Sequence, residues 1–326
     1  MIVDLPSTTT SAVNHALIRL RERCGAVAIS RVLNLVIVTE DSARVEQWIE
    51  AANEASREHP CRVLVVARGL KKAATRLDAQ IRVGGDAGAS EVFVLRVYGP
   101  LVDYAQSVVL PLLLPDNPVF VWWPAAAPAI PAQDPVGRLA QRRITDAAAV
   151  PHPIKTLNIR RSSYTPGDTD LAWTRITPWR ALLTAALELP PYEDVETVTV
   201  TGAGDNPSTD LLAGWLRSRL RVPVRRRVSG TGGGISSVVL ARRSGPVELF
   251  RPNGKVATLH QPGQPDRQLP LKRRSLRECL TEELRRSDPD EIYHAALQAL
   301  TEVHGWSGTT SSHINSAKGS SKTRSA

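Results

Sequence analysis

The sequence predicts an α/β protein in two parts: an N-terminal domain on a parallel, Rossmann-like sheet, then an α+β domain with a mixed or antiparallel sheet. Three observations carry this reading. Between residues 32 and 123, near-continuous apolar runs alternate with helical patterns, as expected of strands buried on both faces and the helices that cover them. Beyond residue 195 the apolar stretches shorten and are separated by Gly, Pro or Asn, the pattern of an antiparallel meander. Between these regions lie a Pro/Ala-rich stretch at 124–135 and a Pro-rich patch at 150–153.

Val13, Leu17 and Leu20 fall on one side of a helical pattern over 12–24. Residues 32–38 read as a first buried strand. An amphipathic helix follows from Ala43 to Glu58, with Val45, Trp48, Ile49, Ala52 and Ala55 inward. Cys61–Ala67, Glu91–Tyr98 and Val119–Trp123 read as three more strands. Residues 69–90 are less regular, and a helix is expected from Asp103 to about Pro111. A further helix is expected over 136–146. The expected division is 1–155, 156–306 and a tail at 307–326, whose Ser, Thr, Gly and Lys cannot bury enough apolar surface to order it.

In the second half, Thr177 and Pro178 open a helix over 178–188. A strand is expected at 195–200. Asn206 and Pro207 start a helix with Leu211, Leu212, Trp215, Leu216 and Leu220 on its apolar side. Short strands follow at 223–228, 235–241, 246–251 and 255–259. Leu276, Leu280 and Leu284 align on one closing helix. The last opens with a capping box at Asp288–Glu291 and carries an apolar stripe of Ile292, Ala296, Leu297, Leu300 and Val303.

Composition narrows the function classes. The chain has 326 residues, enough for two domains of ordinary size. It has no apolar run of about 18 residues, so no membrane helix is expected. Its start is neither basic nor followed by an apolar core, which argues against a signal peptide. Cys24, Cys61 and Cys279 are far apart and form no CxxC pair, which fits a reducing cytoplasm. The net charge of +9 concentrates in Arg217, Arg219, Arg221, Arg225, Arg226 and Arg227, then Arg242, Arg243 and Lys272–Arg274. Few aromatics interleave with these cations, so a nucleic-acid groove is not expected. The cluster reads as a solvated basic face or as a surface for an acidic protein.

No catalytic constellation emerges. Gly230–Gly234 precedes a strand instead of opening a helix, so it reads as a Gly-rich hairpin or bulge, not a phosphate cradle. The Gly-rich stretch at 84–88 lacks dinucleotide-binding spacing. The seven histidines show no metal-ligand spacing. Asp168 and Asp170 can be an acid/base pair, but helix capping is the commoner role. No cofactor is expected.

The most informative stretch is Asp170–Arg180. Trp179, Leu182, Leu183, Ala186 and Leu187 share one helical face, which accounts for Trp179 as core. Trp173, Arg175 and Arg180 are left over, and Trp with Arg is the composition of a binding hot spot. Trp122 and Trp123 lie on opposite faces of a strand end. One is expected in the core, and Trp123 is a candidate at the carboxyl end of the sheet, where α/β folds bind ligands or partners. The partner-binding candidates are therefore Trp173, Arg175, Arg180, Trp123, Arg225, Arg226 and Arg227.

Several of these segments together resemble a known family. Arg31–Val36, Leu112–Pro124, Asp170–Arg180 and Ser287–Tyr293 resemble the OpcA family, the glucose-6-phosphate dehydrogenase assembly proteins of actinobacteria and cyanobacteria. The likeness runs from about residue 10 to residue 306 and leaves out the tail. It implies a non-catalytic cytoplasmic partner that promotes assembly and activity of the dehydrogenase opening the oxidative pentose phosphate pathway. It carries no catalytic residues over. Thiol redox control, associated with the cyanobacterial branch, finds no supporting cysteine spacing here. The residues alone leave two other classes open: a sugar-phosphate-binding enzyme or sensor using the arginine cluster, and a nucleic-acid binder.

Overall fold

A computed structural model of the chain describes residues 1–23, 31–83, 91–230 and 233–308. Cys24, the Gly-rich stretch at 84–88 and almost all of the Ser/Lys-rich tail lie outside the described residues.

The first sheet contains β1 (Ile2–Leu5), β2 (Leu33–Glu40), β3 (Cys61–Arg68), β4 (Arg76–Arg82), β5 (Glu91–Tyr98), β6 (Val119–Trp122), β7 (Arg142–Thr145) and β8 (Asp168–Asp170), in the order β1-β4-β5-β3-β2-β6-β7-β8. From β5 to β8 every pairing is parallel. In chain order those six strands run third, second, first, fourth, fifth, sixth, the doubly wound order of Rossmann-like sheets. β4 and β1 add an antiparallel edge. Successive residues of the central strands feed opposite faces. Val36 and Val38 enter a core with α1 (Thr10–Arg23), whereas Leu35 and Ile37 enter a core with α2 (Val45–Ala55).

The second sheet has the order β10-β9-β11-β12-β13-β14, from β9 (Thr197–Ala203), β10 (Val224–Ser229), β11 (Ile235–Ala241), β12 (Val247–Phe250), β13 (Val256–His260) and β14 (Arg267–Pro270). β9 and β10 are parallel and the other pairings antiparallel, so the sheet is mixed. The crossover is helix α7 (Pro207–Leu220), capped by the Asn206 side chain on the Thr209 N–H. Its apolar side packs on α9 (Glu291–Gln298) so closely that a Cβ at Gly214 would run into the Ala296 carbonyl oxygen.

Several expectations are corrected. Residues 136–146 hold a short 3-10 turn, Gly137–Leu139, and then β7, because Arg142 and Arg143 are drawn inward by Glu283 and Asp168. Residues 76–82 form β4, whose apolar Leu77, Ala79 and Ile81 alternate with polar side chains. The helix expected from Asp103 is only Ala105–Val109 (α3), flanked by 3-10 turns. Residues between the Pro-rich patch and the junction form helix α4 (Pro153–Ser162), and the first sheet takes its eighth strand from residues 168–170. Helix α8 (Leu276–Glu283) returns from the second half to pack Cys279, Leu280 and Leu284 against Ile49, Phe120 and Trp122. The Gly-rich segment after Gly230 does not join neighbouring strands, since β10 and β11 flank β9; a register irregularity does occur at Ile235/Ser237. α9 begins at Glu291 with Asp290 as cap. Its inward residues are Tyr293, Ala296 and Leu297, and Ile292 points outward, 38% exposed.

Candidate functional site

The Trp/Arg segment turns out to be the junction between the two halves. β8 ends at Asp170, whose side chain caps α5 (Leu171–Thr174) through the Ala172 N–H and also accepts from the Ala147 N–H and the Thr145 hydroxyl. Burial, reinforced by the charge of Asp146, pushes the Asp170 carboxyl well above its usual range. Leu171 then packs into the core under the first sheet, while Ala172, Trp173, Ile176 and Trp179 pack into the core of the second. Trp179 begins the inward face of α6 (Thr177–Leu187), continued by Leu183 and Ala186.

Trp173 lies inside the fold rather than on an open surface. It is 1% exposed, donates its indole N–H to Asp290 at 2.8 Å, and meets the Tyr293 ring at 5.8 Å between centroids. Asp290 divides its oxygens between that indole and the N–H of Tyr293, so one carboxylate ties the junction to the start of α9. Arg175 also lies inside the chain's own network, holding Asp146 through two hydrogen bonds of 2.7 and 2.6 Å. Burial alone would favour a neutral guanidinium, but Asp146 more than offsets it and holds the Arg175 pKa above its ordinary value. Trp123 is likewise core at 1% exposure: Trp122 and Trp123 do occupy opposite faces of β6, but both faces are covered. Trp122 meets Trp48 edge-on at 5.9 Å.

The basic cluster divides by strand alternation. Along β10, Arg225 and Arg227 are exposed and Arg226 is buried. Arg226 faces Asp210 of α7 at 3.3 Å and donates to the carbonyl oxygens of Gly202 and Ala203. Burial pushes the Asp210 carboxyl up to about 6 despite the opposing pull of Arg226.

Arg180 differs from the other arginines of the segment. Its guanidinium lies 3.8 Å from the Trp173 ring centroid. It donates to the Thr177 hydroxyl at 3.0 Å, and its Nε is buried with no acceptor. No carboxylate pairs with it among the described residues. Burial lowers its pKa from the usual arginine value, against the pull of Asp290, Glu282 and Glu283. Arg180 and Trp173 line a cleft of about 820 Å³ between the halves, completed by Arg142, Thr177, the end of α8, Arg285, Arg286 and residues 288–292. The cleft wall is knitted by ion pairs. Glu283 is held by Arg142 at 2.5 Å and by the Thr174 hydroxyl, and Glu282 by Thr177 and Arg274. Arg142, Glu283 and Asp290 were missed from sequence because each meets the junction across a long separation; the charged run Arg285–Asp290 was the available signal.

Among the described residues, no group of His, Cys, Asp or Glu side chains is placed to hold a metal ion. No helix is long and apolar enough to cross a membrane. Fold and cleft together define a two-domain α/β protein whose halves are locked by a buried aromatic and ion-pair junction. The chain belongs to the OpcA family: residues 52–162 match the model described as the N-terminal domain of the glucose-6-phosphate dehydrogenase subunit, and residues 166–297 match the model for its C-terminal domain. None of the curated proteins matches the chain. Among solved structures it is similar to one titled trehalose-6-phosphate from E. coli bound with UDP-2-fluoro glucose, at 10% identity and a TM-score of 0.26 over 61% of this chain and 65% of that one. It is also similar to an OtsA apo structure, at 10% identity and a TM-score of 0.25 over 62% and 66%. The chain thus spans just under two thirds of the length of those structures.

Proposed function

We propose that this protein is a non-catalytic assembly factor and activator of glucose-6-phosphate dehydrogenase, acting by direct protein–protein binding in the oxidative pentose phosphate pathway of the cytoplasm. The observation that carries the reading is the pair of matched domains, which are described as domains of a dehydrogenase subunit and together span most of the chain. The side chains best placed to meet the partner are Arg180 at the interdomain cleft and the exposed Arg225 and Arg227. Trp173, Trp123, Arg175 and Arg226 support these surfaces from inside.

The test is co-purification of the chain with the dehydrogenase of the same organism, followed by an assay of glucose 6-phosphate oxidation with and without the chain. Co-elution and a raised dehydrogenase rate are expected, with no turnover by the chain alone. Failure to co-elute, or turnover by the pure chain that survives removal of contaminating enzyme, would overturn the reading.

A further inference from the structure

Besides the exposed Arg285 and Arg286 at its mouth, the interdomain cleft contains a half-buried cation, Arg180, that no carboxylate of the described residues pairs. Three of its carboxylates are already engaged: Glu283 by Arg142 and Thr174, Glu282 by Arg274 and Thr177, and Asp290 by Trp173 and the Tyr293 N–H. Asp288 and Glu291 stand exposed at the mouth. Buried or half-buried charges are ordinarily paired, because desolvation is otherwise uncompensated. Arg180 departs from this rule. Its place over the Trp173 ring face offsets part of its desolvation. Thr177 takes one donor, and no carboxylate of the described residues takes the rest.

The surroundings select the kind of anion that fits. Five carboxylates, Glu282, Glu283, Asp288, Asp290 and Glu291, line the cleft with four arginines, Arg142, Arg180, Arg285 and Arg286. Five carboxylates against four arginines leave the lining one charge negative, which disfavours a polyphosphate or a nucleic-acid backbone more than a singly charged group. A single carboxylate adds one negative charge and matches the planar fork of an arginine. Pro289 and Ile292 at the rim offer apolar contact for the stem of such a side chain. We propose that Arg180 receives one Asp or Glu side chain presented by the dehydrogenase, making this cleft a socket for a single acidic residue of the partner. The partner's identity rests on the proposed function; the socket itself rests on the cleft.

The test measures dissociation of the full chain from the dehydrogenase, using wild type, Arg180→Gln, Arg180→Met and Arg180→Lys. Gln and Met remove the charge, and Met retains an unbranched stem over Trp173. Truncating one partner of a desolvated charge pair acts mainly on the dissociation rate, so both variants should dissociate roughly 30-fold faster or more. Lys should fall between them and wild type. Salt should accelerate dissociation of wild type and Lys more than that of Gln or Met, a difference that a purely packing role would not produce. Wild-type dissociation rates in folded Gln and Met variants would overturn the socket. Should the charge-removing variants unfold, Lys decides: a wild-type rate and salt response there overturn the planar-fork contact.

If wild type does not bind the dehydrogenase at all, the function reading fails separately. The socket is then tested by thermal shift with a blocked tetraglutamate peptide. Protection of wild type but not of Arg180→Gln supports it. Equal behaviour, or stronger protection by inorganic phosphate than by the peptide, overturns it.

Discussion

Two arginine-bearing regions, the junction at 170–180 and strand β10, dispose of their charges by different rules. In β10 the alternation of the strand is sufficient: Arg226 turns inward to Asp210, and its neighbours Arg225 and Arg227 turn to solvent. At the junction no single period applies, because the chain passes from a strand end through α5 into α6 within a dozen residues. There Arg175 is placed by Asp146 and Trp173 by Asp290, both remote in sequence, and Arg180 by the face of the Trp173 so positioned. A strand's charge pattern is thus a local property, while a junction's is a tertiary one.

The largest effect that tests this contrast is expected from Trp173→Ala. Truncating a buried tryptophan should cost about 3–5 kcal/mol of folding stability, measured by urea denaturation. A loss below about 1 kcal/mol would mean that the junction does not depend on this ring.

Next in size is Arg226→Met, which strands the buried Asp210 carboxylate. A loss of about 3 kcal/mol is expected, with most of it recovered in the double variant Arg226→Met/Asp210→Leu. A double variant no better than the single one would show that Arg226 acts through the carbonyls of Gly202 and Ala203 instead.

A smaller, pH-dependent effect follows from Asp210 itself. Its carboxyl is raised from 3.8 to about 6 by burial, so the native state holds a proton that the unfolded chain has released. The resulting stability is fully present below pH 3.8 and is lost as pH rises through about 6. Denaturation between pH 4 and 7 should show wild type losing stability relative to Asp210→Asn as pH rises. Parallel curves would place the Asp210 pKa at its ordinary value.

The smallest stability effect is expected from Arg225→Glu/Arg227→Glu, within about 0.5 kcal/mol, since both side chains are exposed. The same variant should slow association with the dehydrogenase at low salt if β10 faces an acidic surface. Adding Arg226→Glu would confuse the two readouts by placing two carboxylates together in the interior.

Legibility differed by region for the same reason. The strands of the first sheet were readable from their apolar runs because parallel strands covered on both faces tolerate few polar residues. β7 was not readable, since its Arg142 and Arg143 look like surface residues until Glu283 and Asp168 are brought to them. β4 was hidden by its polar face and β8 by its brevity. Helical periodicity places Trp179 correctly in the core; it cannot place Trp173, because the packing of α9 against that ring is invisible locally.

By itself, then, the sequence determined the α/β class, the parallel first sheet, most helix starts and the inward face of α6, all set by side-chain periodicity and by caps within a few residues. Tertiary structure alone decided that residues 168–170 complete the first sheet, that α8 returns to cover it, and that Arg175 is satisfied internally while Arg180 is not. Those outcomes depend on which carboxylate arrives from more than a hundred residues away or from the next strand, and on how many it can serve. Pairing of that kind leaves no periodic trace in the chain.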